Sequence, residues 1–106
     1  AAAALSGCAG VSYIVENYSG LQGVDITTRY DTFAVYDRSA DGKMMVNPSL
    51  GNAAAHGATF WLSSTPRPVY QEAAEAFLAR SGRRCTVVDG YVLQAPQWEF
   101  RYTCAA

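Results

Sequence analysis

The sequence predicts a small α+β domain, an antiparallel sheet of four or five strands with one helix packed across one face, and two stretches carry that prediction. From Pro68 to Ser81 the apolar residues recur at the 3.6-residue period of a helix, and from Gln97 to Cys104 they alternate at the two-residue period of a half-buried strand. A run from Cys85 to Leu93 sits between them and reads as a second strand. With 106 residues, half of them apolar, the chain has enough core for one domain.

In the helix, Pro68 suits the first helical position because its missing N–H would be unpaired there anyway, and Thr65 or Ser64 stands close enough to cap it. Gln71 and Glu72 fall in the first turn, where negative charge meets the positive end of the dipole. Val69, Ala73, Ala76 and Phe77 make the buried stripe, widened by Tyr70, Ala74 and Leu78, while Glu72, Glu75, Ala79 and Arg80 lie mainly opposite. Gly82, followed by Arg83 and Arg84, is the expected stop.

In the last strand Trp98, Phe100, Tyr102 and Cys104 point one way, and Gln97, Glu99, Arg101 and Thr103 point the other, toward solvent. Asp89-Gly90 interrupts the preceding strand as either a bulge or a two-residue turn. If the chain reverses at Ala95-Pro96, Cys85 comes opposite Cys104 and a disulfide is expected, contributing about 3 kcal/mol for a loop of this length. The alternative is two free, buried cysteines, and a bulge at Gly90 would move the register by one residue. The core expected from helix and strands together is Phe77, Val87, Tyr91, Trp98, Phe100 and Tyr102.

Upstream, Val11 to Tyr18 reads as a first strand, with Val11, Tyr13 and Val15 alternating against Ser12, Ile14 and Glu16 before a break at Ser19-Gly20. Val24 to Asp37 is the longest strand-like run. Val24, Ile26, Thr28 and Tyr30 share one face, then Phe33 and Val35 appear on the other, a change of phase that implies a bulge or burial on both sides. Ser39-Ala40-Asp41-Gly42 is a turn, and Lys43 to Asn47 a short strand ended by Pro48. Ser49 to Ala58, rich in small residues, is either one helical turn or an irregular crossing. Phe60-Trp61-Leu62 is a compact apolar cluster, either a plug at the edge of the core or an exposed surface for a protein partner.

The N-terminus reads Ala1-Ala2-Ala3-Ala4-Leu5-Ser6-Gly7-Cys8. Leu5-Ser6-Gly7-Cys8 resembles the lipobox of bacterial lipoproteins, in which a leucine and two small residues precede a cysteine that is diacylated on sulfur and becomes the mature N-terminus. The resemblance implies that residues 1–7 are the tail of a signal peptide, that Cys8 carries the lipid, that residues 8–10 form a short tether, and that residues 11–106 are the domain. Ala9 and Gly10 follow the cysteine, and the lack of Asp there implies delivery to the periplasmic face of the outer membrane of a Gram-negative envelope. More than one acyl chain is what stable anchoring takes. Three cysteines is an odd number for an exported protein; a lipidated Cys8 leaves Cys85 and Cys104 as a pair.

The rest of the sequence narrows function by exclusion. A net charge of −1, a single lysine at Lys43 and no basic cluster beyond Arg83-Arg84 lack the electrostatic footprint of a nucleic-acid binder. No run of 18 apolar residues spans a bilayer. His56, the only histidine, would have to serve any Ser-His or Cys-His mechanism, with Ser49, Ser63 or Cys8 as nucleophile, and none of these sits in a nucleophile elbow. One histidine with no carboxylate or thiolate at ligand spacing argues against a metal, the scattered glycines make no phosphate loop, and no cofactor is expected. Asp25, Asp31, Asp37, Asp89 and Glu99 read as turn or surface residues rather than a catalytic pair.

The expected function is therefore a non-catalytic, outer-membrane-anchored lipoprotein that binds a protein partner, as accessory subunit or assembly factor, with Phe60, Trp61 and Leu62 as its candidate contact. The alternative is a small periplasmic inhibitor of a hydrolase, presenting the Ser39–Lys43 loop, or a module binding cell-wall glycan or another ligand. A hydrolase built on His56 comes third. Denatured without reductant, the protein should leave Cys85 and Cys104 unreactive to a thiol alkylator and expose both after reduction; alkylation of both before reduction would disprove the pairing.

Overall fold

The computed structural model describes residues 7–49, 66–94 and 96–105, with the backbone alone for 7–9. The sheet is antiparallel and has five strands: β1 (Val24–Thr27), β2 (Thr32–Arg38), β3 (Lys43–Pro48), β4 (Cys85–Gln94) and β5 (Gln97–Cys104), in the spatial order β1-β2-β3-β5-β4. Two helices accompany it, α1 (Gly7–Tyr18) and α2 (Arg67–Arg80). The expected α+β class with an antiparallel sheet and a long helix packed on it is what the chain adopts.

The helix α2 starts one residue earlier than its sequence signals suggest, with Pro66 at the N-cap and Pro68 within the first two helical positions; Ser64 and Thr65 lie outside the described residues. Val69, Tyr70, Ala73, Ala74 and Leu78 are buried, whereas Ala76 and Phe77 pack only partly against the core. The two small alanines bring the helix axis close to the sheet, where Ile26, Phe33, Val35, Met44, Val46, Trp98, Phe100 and Tyr102 meet it. Phe33 lies 5.2 Å from Tyr70 between ring centroids, and Trp98 stacks on Phe100 at 5.5 Å. Gly82, at φ 78°, closes the helix as expected.

The long strand expected over residues 24–37 is instead a hairpin. Thr28 N–H donates to Asp31 O at 2.9 Å, the chain reverses, and Thr27 pairs with Thr32 and Ile26 with Phe33. Reversal explains the change of phase without a bulge, because Ile26 and Phe33 are cross-strand neighbours on one face. Ser39–Asp41 is a single exposed 3₁₀ turn, where the sequence predicts a turn. Gly42, at φ 63°, follows it, donating to Ser39 O and accepting from Tyr102 N–H at 2.9 Å; a Cβ there would stand 2.9 Å from Tyr102 O.

β4 and β5 begin in the expected register, Cys85 opposite Cys104, and the two sulfurs are bonded. The interruption lies one residue before Asp89-Gly90: Val88 is left unpaired between Val87↔Tyr102 and Asp89↔Arg101, so Asp89-Gly90 is neither turn nor bulge but continues the ladder.

The largest correction concerns Val11 to Tyr18. This segment is not a strand but part of α1, which also takes in Gly7, expected to end the signal peptide, and residues 8–10, the stretch expected to be a tether. Its alternating pattern also satisfies a helical one: Gly10, Tyr13, Ile14, Asn17 and Tyr18 fall on one side of a helix, and those positions are buried or half-buried, while Val11, Ser12, Val15, Glu16 and Ser19 are exposed. Among the described residues no helix is long and apolar enough to cross a membrane. Phe100→Ala, removing a fully buried ring from the α2 face, should cost about 3–5 kcal/mol in urea unfolding; a variant unfolding at the parent's midpoint would refute the core assignment.

Candidate functional site

The densest polar chemistry in the described residues lies on the sheet face opposite α2, beneath α1. Alternation along β5 sends Trp98, Phe100 and Tyr102 to the α2 side and Glu99 to the other. Glu99 was expected at the surface; it is fully buried, because α1 covers it.

Three phenols converge on its carboxylate. Tyr13, on α1, donates to Oε2 at 2.7 Å and Oε1 at 3.0 Å; Tyr18, at the end of α1, donates to Oε2 at 2.6 Å; Tyr91, opposite Glu99 on β4, donates to Oε1. Arg38, at the end of β2, stands 3.5 Å from Oε2, donates to the Tyr13 hydroxyl at 3.1 Å and lies over the Tyr18 ring, 5.2 Å from its centroid. Its side chain is 14% exposed and also pairs with Asp41 at 2.7 Å. A buried carboxylate is tolerated only where its acceptor sites are filled and its charge is balanced. Here every donor comes from the chain itself.

An apolar rim closes the cluster. Tyr18, Met45 and Leu93 form a small buried group, with Tyr13, Ile14, Tyr36 and Tyr91 packed on it. Gly10 lets the helix approach: a Cβ at that position would stand 2.7 Å from Leu93 O. The two surface hollows described both border α2, and Glu99 lines neither. The cluster therefore has filled acceptors, and neither of the two described hollows adjoins it. Its chemistry is that of a clamp holding α1 to the sheet.

A smaller cluster lies on the α2 face. Tyr102 donates to Asp37 Oδ1 at 2.5 Å, and Arg83 pairs with Asp37 Oδ2 at 3.0 Å while lying 5.6 Å from the Tyr102 centroid. Asp37 is thus a partly buried structural acceptor rather than a turn or surface residue, and Arg83 reaches it while also donating its Nε to Ser81 Oγ at the end of α2. Asp31 binds the backbone of Thr32 at 2.8 Å, and Asp89 pairs with Arg101 at 3.6 Å. Asp25 and Asp31 form no carboxylate site, and among the described residues no three His, Cys, Asp or Glu side chains converge as metal ligands.

Tyr91, expected in the main core, belongs to the Glu99 cluster. Cys8 stands in the first turn of α1. Phe60, Trp61 and Leu62, together with His56 and Ser63, lie outside the described residues, while Ser49 donates its backbone N–H to Thr32 O at 3.1 Å. The sequence signal for the clamp was the tyrosine spacing on α1, which reads as a clamp only once residues 11–18 are helical. No family model matches the chain, nor does any curated protein or solved structure.

The clamp generates two expectations. Glu99→Ala should cost about 3–5 kcal/mol, since it leaves three hydroxyls without their acceptor and removes one of the two carboxylates that face Arg38. Amide hydrogen exchange should speed in α1 well beyond its rate in β2, β3 and β5; equal protection in all of them would show that Glu99 does not hold the helix. Burial, reinforced by the Glu99 hydrogen bond, raises the Tyr13, Tyr18 and Tyr91 phenols above their ordinary value of 10. Burial raises Tyr70 and, with the Asp37 hydrogen bond, Tyr102 as well. Folded, these phenols keep protons that the unfolded chain loses, so their contribution to stability is complete below pH 10 and is lost as pH rises beyond it. Tyrosinate absorbance should therefore show a group of phenols that ionise only together with unfolding; smooth titration of all seven tyrosines near pH 10 would contradict this.

Proposed function

We propose that this chain is a non-catalytic envelope lipoprotein, acylated at Cys8 and held at the periplasmic face of the outer membrane, whose domain binds a protein partner as an accessory or assembly subunit. The observation that carries the reading is the pairing of the cysteines. Cys85 and Cys104 are bonded to each other, so the remaining cysteine is the one that ends Leu5-Ser6-Gly7-Cys8. A disulfide suits an oxidising compartment, and the lipobox supplies the odd cysteine with a role.

The non-catalytic part draws support from the Glu99 cluster. It is the most elaborate polar arrangement in the described residues, and its acceptors are filled by Tyr13, Tyr18 and Tyr91. A general base needs an accessible face and a substrate proton within reach. Glu99 has neither.

The test is mass spectrometry of the protein gently extracted from its own membranes. A complex heavier than one chain, releasing a diacylated polypeptide that starts at Cys8 and is two hydrogens light, is the expected result. A lone chain without lipid would remove both anchor and subunit role, and an acylated chain that never travels with another protein would remove the subunit role alone.

A further inference from the structure

We infer that the outer face of α1 lies on the lipid surface, with Val11 and Val15 set into the boundary between headgroups and acyl chains. The inference rests on the acylation of Cys8 proposed above and adds how the domain sits on its anchor.

Cys8 precedes Val11 by three residues and Val15 by seven, the separations at which positions share one face of a helix. All three lie within α1, so no flexible tether separates the acylated position from the two valines. Val11 is 51% and Val15 56% exposed, and they are the two large apolar residues that α1 leaves uncovered. Ser12, Glu16 and Ser19 flank them on the exposed side, polar residues suited to headgroup level. The opposite face is committed: Tyr13 and Tyr18 are bound to Glu99, and Gly10 lies against Leu93. A helix clamped on one side and acylated on the other has one orientation to offer.

Two valines would bind a bilayer weakly alone. An anchor in the same helix turns their insertion into an intramolecular event at high effective concentration, so modest affinity suffices. The occupant is a lipid surface because acyl chains at Cys8 deliver it to this face before any protein can reach it.

The acylated full-length protein, reconstituted in phosphatidylethanolamine–phosphatidylglycerol vesicles, provides the test. A polarity-sensitive fluorophore is attached at Val15→Cys and, as a control on α2, at Gln71→Cys; intact mass reports acylation and protected Cys85–Cys104 reports folding. In vesicles with bromine-bearing acyl chains, the probe at position 15 should shift to the blue and be quenched, and the probe at position 71 should do neither. An acylated, folded protein whose two probes behave alike overturns the inference while leaving the anchor in place. Energy transfer between labelled copies without bromine quenching gives the face to a second copy and overturns it too. A mass without acyl chains overturns the anchor, and the inference with it.

Discussion

The register of the β4–β5 hairpin sets both faces of the sheet, and it turns on one extra residue. Val88 has no partner between Val87↔Tyr102 and Asp89↔Arg101, so the pairs from Asp89↔Arg101 to Val92↔Trp98 are displaced by one, and a second irregularity at Leu93 displaces Gln94↔Gln97 by one more. With the bulge, Gly90 faces Phe100 and Tyr91 faces Glu99. Without it, Asp89 would face Phe100 in the apolar core and Gly90 would face Glu99. The displacement suits both layers. A Cβ at Gly90 would stand 2.5 Å from the Phe100 ring, so only glycine admits the ring there, and Tyr91 supplies one of the three hydroxyls that make a buried Glu99 tolerable.

The two helices are held by different forces. α2 buries Val69, Tyr70, Ala73, Ala74 and Leu78 against an aromatic-rich sheet face, a broad contact that is not directional. α1 offers Ile14 and Tyr18 to a much smaller apolar group and relies on Glu99 to engage its two tyrosines. Such a contact is specific in geometry, because the carboxylate accepts only from hydroxyls placed one helical turn and a half apart, and it is sensitive to the loss of any member. The helix nearest the proposed anchor is therefore the one whose attachment is polar and local.

This arrangement separates the surfaces of the domain by role. The inner face of α1 is spent on the clamp, and its outer face carries Val11 and Val15, three and seven residues beyond Cys8. The α2 side, with its mixed charges at Arg29, Glu72 and Arg80, is turned away from α1 by the thickness of the sheet. A domain laid on a bilayer through α1 would thus present α2 outward.

What the sequence determined by itself are the features written in local periodicity and in residues with one conformational use. The α2 helix, the alternation of Gln97–Cys104 and the stop at Gly82 are of that kind, since each follows from spacing within a few residues of its neighbours, and the Cys85–Cys104 pairing follows from two such strands joined by a short reversal. The α+β class follows from them. Three features were decided by tertiary structure. Residues 24–37 show one strand's composition, and the reversal shows itself in the bonds of Thr28 to Tyr30 and Asp31 and in the pairing of Thr27 with Thr32. The bulge at Val88 leaves no signature, because a slipped register costs nothing until Phe100 needs a glycine beneath it and Glu99 needs a tyrosine beside it. Residues 11–18 satisfy both a two-residue and a 3.6-residue pattern, with apolar side chains on either reading. The choice between them lies with Glu99, 81 residues beyond Tyr18 in the chain, whose burial requires hydroxyls that only a helix can deliver together.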